Sequence, residues 1–216
     1  MQSLAVIPDI HMRRSVFQHA VDLAEDGHDV VLLGDYVDNG PRANDAGFLS
    51  EVFAFAEAYD AVALIGNHDL AYLYPERPRF RQNGYEPATA PALEAVYARY
   101  RDQLRFAYHR GRYVFSHAGF SRKLVACLTA RYGARSPREV VDLVNAQAPP
   151  EVFYQGPAND GGDLLDGPLW LRLPQYDGCW LEEGVLQVTG HSSQSTIRFR
   201  ENLLMIDVGL PLLLEW

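Results

Sequence analysis

Three things are scarce in this 216-residue sequence: cysteine, long apolar runs and an excess of basic residues. The two cysteines, Cys127 and Cys179, are too few for a disulfide framework, so we interpret them as reduced, small hydrophobic residues. No apolar run approaches the roughly 20 residues that a membrane-spanning helix needs, and the N-terminal run is interrupted by Pro8 and Asp9. We therefore expect no membrane span, no signal peptide and a cytoplasmic location.

The charge balance is acidic, with 19 lysine and arginine residues against 28 aspartate and glutamate residues and a formal net charge of −9. An extended nucleic-acid partner would require a basic surface, so the composition argues against one. A small phosphate ester remains compatible with it, because bound divalent cations would supply positive charge locally. With 48 % hydrophobic residues the chain can bury a continuous core, and we expect a single domain over residues 1–216.

Five apolar runs in the sequence read as buried strands, and each is followed by carboxylate, amide or imidazole side chains. The second run, Val30–Leu33, leads into Gly34–Gly40, where glycines allow sharp turns on either side of the acidic residues. The residues that follow the five runs are Asp9 and His11, Asp35 and Asp38, Asn67 and His68, His117, and His191. In open α/β sheets, ligands bind beyond the carboxyl ends of the strands, so the pattern indicates a metal site there.

These residue types are typical of a site for two metal ions. Carboxylate, amide and imidazole groups without a thiolate suit Mn, Fe, Zn or Ni. Asp9 and His11 fall on one face if the extended conformation of the first strand continues. The two oxygens of Asp35 can bridge cations about 3.5–4 Å apart. His68 would then be free to protonate a leaving alkoxide, and Asp38 could hold its tautomer by a hydrogen bond.

The sequence resembles the calcineurin-like metallophosphoesterases in five motifs that occur in the same order along most of the chain. The motifs are Asp9-x-His11, Gly34-Asp35-x-x-Asp38-Asn39-Gly40, Gly66-Asn67-His68-Asp69, His117 and Gly190-His191. The resemblance implies an α/β fold in which a layered β-sandwich is flanked by helices. It also implies two divalent metal ions, with Mn²⁺ expected first and Fe, Zn or Ni as alternatives, and phosphoester hydrolysis by a hydroxide that bridges the metals.

The same resemblance assigns a role to each motif residue. The first metal would be bound by Asp9, His11 and Asp35. The second metal would be bound by Asp35, Asn67, His117 and His191. The general acid would be His68, paired with Asp38, and Asn67 would also contact the substrate phosphate.

Two later segments resemble one branch of that superfamily, which includes bacterial and phage Ser/Thr protein phosphatases and diadenosine tetraphosphate hydrolases. They are Pro168-Leu169-Trp170-Leu171-Arg172 and Ile206-Asp207-Val208-Gly209. By this likeness Arg172 would clamp the substrate phosphate, since a guanidinium group can bind it in a bidentate manner. Three positions depart from the branch: Asn39 and Ile65 stand where arginines are usual, and Met12 replaces a glycine.

Two phosphate-binding arginines of the branch are therefore missing from their usual positions. The candidates to replace them are Arg13, Arg14, Arg42 and the arginines of the segment Tyr72–Pro91. That segment is rich in Pro, Arg and Tyr and shows no clear period, so we interpret it as a long loop and a substrate-facing lid.

The leading functional prediction is a metal-dependent hydrolase of phosphomonoesters that resembles Ser/Thr phosphoprotein phosphatases, with phosphoproteins and small nucleotides both open as substrates. The alternative is a hydrolase of dinucleoside polyphosphates, other nucleotides or RNA ends. A non-catalytic scaffold of the same fold is the third hypothesis, but degenerate members would be expected to lose metal ligands or the acid histidine. This chain retains all of them.

The predicted elements form parallel βαβ units, which are followed by antiparallel strands in the C-terminal part of the chain. Helix signals run from Pro91 to about Phe106, and a tight hairpin is predicted around Gly111. Ser136, with Glu139 three residues later, reads as a capping box. The acidic, glycine-rich stretch is predicted to be a solvated loop rather than a third cation site, and its acidic residues are Asp160, Asp163 and Asp166.

Overall fold

The computed structural model of the chain describes residues 3–40, 43–156, 166–172 and 184–215. These residues form ten strands (β1–β10) and six α-helices (α1–α6). The chain divides into two compact units, Met1–Leu104 with Gly209–Trp216 and Arg105–Val208, and each is described by itself. This division does not test the expectation of a single domain, which stays a prediction.

The first unit is built on a five-stranded sheet with the strand order β10-β1-β2-β3-β4. Its strands are β1 (Ser3–Ile7), β2 (Asp29–Leu32), β3 (Val62–Leu64), β4 (Leu104–Arg105) and β10 (Leu212–Glu215). β1, β2 and β3 run parallel, as predicted, and β10 pairs antiparallel with β1. Consecutive residues of β1 and β2 are buried, which explains their continuous apolar sequence, because both faces of a parallel sheet are covered.

The helices of the first unit are α1 (Arg14–Glu25), α2 (Ala46–Ala58), α3 (Leu70–Leu73) and α4 (Ala90–Tyr100). The prediction of one helix from Pro91 to Phe106 is wrong at its C-terminal end. A short 3₁₀ turn, Arg101–Gln103, follows α4, and the next two residues pair as β4 at the edge of the sheet. Pairing with the sheet has overridden the local helical preference of these residues.

The segment Tyr72–Pro91 is more ordered than the loop predicted from sequence. It begins within α3 and contains a 3₁₀ turn, Pro78–Phe80. Tyr72 and Phe80 are buried, so the segment contributes to the core of the first unit. One helical turn is too short to produce a visible hydrophobic period, which is why the sequence did not reveal it. Its role as a lid stays a prediction.

The second unit contains a five-stranded sheet with the strand order β5-β6-β7-β9-β8. Its strands are β5 (Ala107–Arg110), β6 (Tyr113–Ser116), β7 (Leu186–Thr189), β8 (Arg198–Arg200) and β9 (Leu203–Met205). The hairpin around Gly111 is confirmed, since β5 and β6 pair antiparallel and the φ of Gly111 is 58°. The prediction that the C-terminal strands are antiparallel is wrong in part, because β7 pairs parallel with both β6 and β9. Helical connections between β6 and β7 permit that parallel pairing.

The helices of the second unit are α5 (Arg122–Tyr132) and α6 (Pro137–Gln147), and a 3₁₀ turn follows at Pro150–Phe153. The hydroxyl of Ser136 accepts from the backbone N–H of Glu139, whose carboxylate accepts from the backbone N–H of Ser136. This reciprocal pair confirms the capping box.

Two expectations about composition can be compared with the described residues. None of the helices in this part of the chain is long and apolar enough to cross a membrane. Cys127 is a half-buried free thiol, as expected, whereas Cys179 lies outside the described residues.

We expect Ser136→Ala to lower the free energy of unfolding by about 1 kcal/mol, because it removes the acceptor for the first turn of α6. Urea unfolding followed by circular dichroism measures the change. Ser15→Ala is the matched control, since Ser15 is exposed in the first turn of α1. Equal losses in the two variants would contradict a capping role for Ser136.

Candidate metal centre

Asp9, His11 and Asp35 form a cluster in the first unit, where the chain leaves β1 and β2. Their ligand atoms lie within 4.8 Å of one another. Nε2 of His11 is 3.6 Å from Oδ2 of Asp35 and 3.9 Å from Oδ2 of Asp9. Both carboxylates are buried, so their negative charges are held together away from water. The structure thus brings together the three residues predicted for the first metal.

The orientation of the His11 ring fits a metal ligand. Nδ1 lies 2.9 Å from the carbonyl oxygen of Val37, an acceptor, so this nitrogen carries the ring proton. In the neutral ring, Nε2 therefore presents its lone pair to the carboxylates of Asp9 and Asp35. A lone pair facing two buried anions is repulsive unless a cation lies between them. A backbone carbonyl that fixes the tautomer in this way is a common partner of metal-binding histidines.

Several residues in the loops after β1 and β2 adopt left-handed backbone conformations, which residues other than glycine rarely adopt. The positive φ angles are 42° at His11, 50° at Asp35, 60° at Asp38 and 46° at Asn39. Such conformations cost of order 1–3 kcal/mol each and persist where the surroundings fix them. This concentration of backbone strain is typical of a functional site.

The carboxylate of Asp69 joins the loop after β2 to the loop after β3. Its Oδ2 accepts from the backbone N–H groups of Asp35 at 3.0 Å and Gly66 at 2.7 Å. Its Oδ1 accepts from the N–H of Tyr36 at 3.0 Å and from the hydroxyl of Tyr97 at 2.5 Å. Asp69 belongs to the Gly66–Asp69 motif, but nothing in its sequence context indicates a role of its own.

A second set of contacts also joins the loop after β2 to the loop after β3. Oδ1 of Asp35 accepts from the backbone N–H of His68 at 2.9 Å. A side chain at Gly66 would collide with the carboxylate of Asp35, and one at Gly34 would collide with the backbone of Gly66. Asn67, a predicted metal ligand, is buried between Gly66 and His68, and its position therefore depends on these contacts.

Asp69 is completely buried, and burial together with the nearby charge of Asp35 raises its pKa to about 7. The hydrogen bonds from Tyr97, Gly66 and Tyr36 act in the opposite direction and favour the carboxylate. The ionised form is the one that can accept all four bonds.

We expect Asp69→Ala to cost about 3 kcal/mol or more in unfolding free energy, because three buried N–H groups lose their acceptor. Asp69→Asn keeps one acceptor oxygen and should cost less, and Tyr97→Phe should cost about 1 kcal/mol. Urea unfolding of the metal-free proteins measures this order. Calorimetric titration with Mn²⁺ should show weaker binding in Asp69→Asn than in Tyr97→Phe. Wild-type Mn²⁺ affinity in Asp69→Asn would contradict the role of Asp69 in placing the ligands.

His68 and Asp38 form the predicted pair. Nδ1 of His68 lies 3.2 Å from Oδ2 of Asp38, and its Nε2 lies 3.2 Å from the side-chain nitrogen of Asn39. The ring also makes an edge contact with His11, with centroids 5.3 Å apart. Burial alone lowers the pKa of His68, but the charge of Asp35 and the hydrogen bond and charge of Asp38 outweigh it, so the pKa is raised. The pair is thus suited to hold a proton.

His117 and His191 come together in the second unit. His117 follows β6 and His191 follows β7, and Nε2 of the first lies 3.0 Å from Nδ1 of the second. Nε2 of His191 is 3.2 Å from the carbonyl oxygen of Trp170, which can only accept. In the neutral ring, Nε2 of His191 therefore carries the proton. Nδ1 of His191 then has a lone pair directed toward His117. Two nitrogen donors at this distance are suited to share one metal ion.

The arginines proposed as phosphate clamps have different surroundings. Arg172 donates from Nη1 to the carbonyl oxygen of His191 at 3.4 Å, which places it beside a predicted ligand of the second unit. Arg13 donates to the backbone carbonyls of Asp9 and Ile10, so it braces the ligand loop. Arg14 pairs with Glu51 at 2.8 Å on the surface.

The remaining candidate clamps and the acidic stretch are only partly described. Arg42, Asp160 and Asp163 lie outside the described residues. Asp166 is buried, so the prediction of a solvated loop is wrong at that position. At the next residue, Gly167, a side chain would collide with the carbonyl oxygen of Val152.

Comparison with known proteins identifies the family. The sequence model of the calcineurin-like phosphoesterases matches residues 3–192, which include all of the predicted metal ligands. The chain belongs to this family. It is therefore a metal-dependent phosphoester hydrolase with the mixed α/β fold, two sheets and flanking helices, that the motifs predicted. The calcineurin-like family depends on a dinuclear metal centre, and this chain has candidate residues for it.

Solved structures of phosphatases share the fold. A cold-active protein-tyrosine phosphatase of a psychrophilic Shewanella species matches with a TM-score of 0.64 and 18 % identity, over 100 % of this chain and 76 % of its own. A protein serine/threonine phosphatase from Saccharomyces cerevisiae matches with a TM-score of 0.55 and 13 % identity, over 94 % of this chain and 66 % of its own. A candidate diadenosine tetraphosphatase matches with a TM-score of 0.51 and 18 % identity, over 96 % and 83 %. No curated protein sequence matches the chain.

Proposed function

We propose that the protein is a dinuclear-metal phosphatase that hydrolyses phosphomonoesters, with His68 as its general acid. The observation that carries this proposal is the His68–Asp38 pair, which lies in the same unit as the buried cluster of Asp9, His11 and Asp35. A cation site can activate the attacking water, and a proton donor can protonate the leaving oxygen. His68 itself contacts the cluster, since its backbone N–H donates to Asp35.

The metal ions would be held by the residues that the family motifs indicate. Asp9, His11 and Asp35 are assigned to one ion. The assignment of Asp35, Asn67, His117 and His191 to a second ion rests on the family motifs. Divalent ions, when bound, supply positive charge to the phosphate and lower the pKa of a coordinated water. We propose Mn²⁺ because the ligand set of oxygen and imidazole nitrogen suits it.

Other residues of the site would act on the leaving oxygen and on the phosphate. Nε2 of His68 would give its proton to the leaving oxygen, and Asp38 would stabilise the charged ring through Nδ1. Asn67 and Arg172 would hold the phosphate oxygens. Asn39 stands at the position of an expected arginine, and its side-chain nitrogen lies 3.2 Å from Nε2 of His68, to which it can donate when the ring is neutral.

A second candidate function is hydrolysis of dinucleoside polyphosphates, other nucleotides or RNA ends. It is supported by the fold shared with a candidate diadenosine tetraphosphatase and by the two arginines that are absent at Asn39 and Ile65. A non-catalytic scaffold is disfavoured because the chain keeps every predicted ligand and His68. A cytoplasmic location remains part of the proposal.

The first test is hydrolysis of para-nitrophenyl phosphate by the Mn²⁺-loaded protein. We expect turnover that is abolished by a chelator and restored by Mn²⁺, with about two ions bound per chain by elemental analysis. On a phosphoserine peptide, whose leaving group is an alkoxide, His68→Asn should lower kcat by about 10²-fold or more, since the general acid is lost. His19→Asn, a change on α1, is the matched control. Equal activity of the two variants on the peptide would show that His68 is not the acid.

A substrate panel distinguishes the two candidate functions. We expect kcat/KM to be highest for phosphoserine and phosphothreonine peptides, compared with diadenosine tetraphosphate, mononucleotides, a cyclic nucleotide and a phosphorylated RNA end. A preference for the nucleotides would favour the second candidate function. No turnover of any substrate with metal present would support the scaffold.

A further inference from the structure

Asp38 is held by two side chains that lie outside the family motifs. Its Oδ1 accepts from the side-chain amide of Asn44 at 2.8 Å and from the hydroxyl of Tyr72 at 2.6 Å. The backbone N–H of Asp38 donates to Oδ1 of Asn44 at 2.8 Å. Asn44 therefore forms hydrogen bonds with both the backbone and the carboxylate of Asp38.

The two holding residues also contact each other. The amide nitrogen of Asn44 lies 3.1 Å from the hydroxyl oxygen of Tyr72. Asp38, Asn44 and Tyr72 are all buried, with exposed fractions of 2 %, 8 % and 2 %. Little water can therefore compete for these bonds, and the three side chains form a closed network.

The hydroxyl of Tyr72 is fixed as a donor. Burial and the hydrogen bond to Asp38 both raise the pKa of Tyr72, so the hydroxyl stays protonated throughout the physiological range. With both donors on Oδ1, the other oxygen, Oδ2, is the one that lies 3.2 Å from Nδ1 of His68.

We propose that Asn44 and Tyr72 are positioning residues that fix the carboxylate of Asp38, so that its Oδ2 faces Nδ1 of His68 and directs Nε2 to the leaving group. This inference rests on the proposed role of His68 as general acid. Neither residue would touch the substrate. Their effect would pass through Asp38 to the orientation and tautomer of the imidazole.

The network matters most for a leaving group that is a strong base. As the bond between phosphorus and the leaving oxygen breaks, its electron pair stays on that oxygen, and the proton from Nε2 of His68 neutralises it. Water supplies the hydroxyl group of the released phosphate and the proton that restores His68. An alkoxide needs that proton, whereas para-nitrophenolate is stable enough to leave without it. Misplacing His68 should therefore slow alkyl esters more than the nitrophenyl ester.

The test compares Tyr72→Phe and Asn44→Ala with wild type on a phosphoserine peptide and on para-nitrophenyl phosphate, with Mn²⁺ bound. We expect kcat for the peptide to fall about tenfold or more, with a smaller fall for the nitrophenyl ester and little change in KM. Tyr100→Phe, which removes a hydroxyl from another buried tyrosine of the same unit, is the control and should slow the two substrates equally if at all. Equal losses on both substrates in Tyr72→Phe would overturn the proposal.

A double-variant cycle sharpens the result. In a His68→Asn background, Tyr72→Phe should cost nothing further, because its effect passes through His68. Independent, multiplying losses would mean that Tyr72 acts on something else. Tyr72→Phe is the milder change and keeps the test open if Asn44→Ala fails to fold.

A measurement without turnover separates this inference from the proposed function. Nitrogen-15 NMR of the metal-free protein reports which ring nitrogen of His68 carries the proton. For the neutral ring, we expect one tautomer, protonated on Nδ1, in wild type and a mixture in Tyr72→Phe. If wild type hydrolyses no ester but the tautomer changes as expected, the proposed function fails and the positioning network stands. An unchanged tautomer together with unchanged substrate dependence would reject the network.

Discussion

The buried carboxylate of Asp69 is the contact on which the candidate site depends most. It gathers backbone N–H groups from the loop after β2 and the loop after β3, and these loops carry Asp35, Asn67 and His68. Without it, each loop would have buried donors lacking acceptors, at a cost of about 1–3 kcal/mol for each group. The ligand geometry is thus built from backbone hydrogen bonds to one side chain that binds neither metal nor substrate in our assignment.

This arrangement concentrates negative charge. Asp9, Asp35, Asp38 and Asp69 are all buried in the first unit, and close buried carboxylates repel one another unless protons or cations intervene. Asp38 is balanced by hydrogen-bond donors and His68, and Asp69 by four donors. Asp9 and Asp35 each have a carboxylate oxygen within 4 Å of Nε2 of His11. A divalent ion is the natural neutralising partner for these two.

The grouping of Asp9, His11 and Asp35 could be predicted from sequence because hard ligands directly after apolar strands are a local pattern. The parallel order of β1, β2 and β3 could be predicted because a helix signal separates each strand from the next. The pairing of β7 depends on contacts that are distant in sequence, and the end of α4 depends on recruitment of Leu104 to a sheet edge. The proposed role of Asn44 and Tyr72 could not be predicted because it depends on a contact between two distant segments, the one between β2 and α2 and the one that follows β3.

The pairing of β10 with β1 has a consequence for biosynthesis. Residues 212–215 pair with β1, so β1 has an unpaired edge until these residues have left the ribosome. Open strand edges invite association with other chains, and contacts so distant in sequence form slowly. The first unit, although it contains Asp9 and Asp35, cannot reach its final sheet as a nascent chain. The strand that leads into Asp9 therefore gains its second partner only after the segments that carry His117 and His191 have been synthesised.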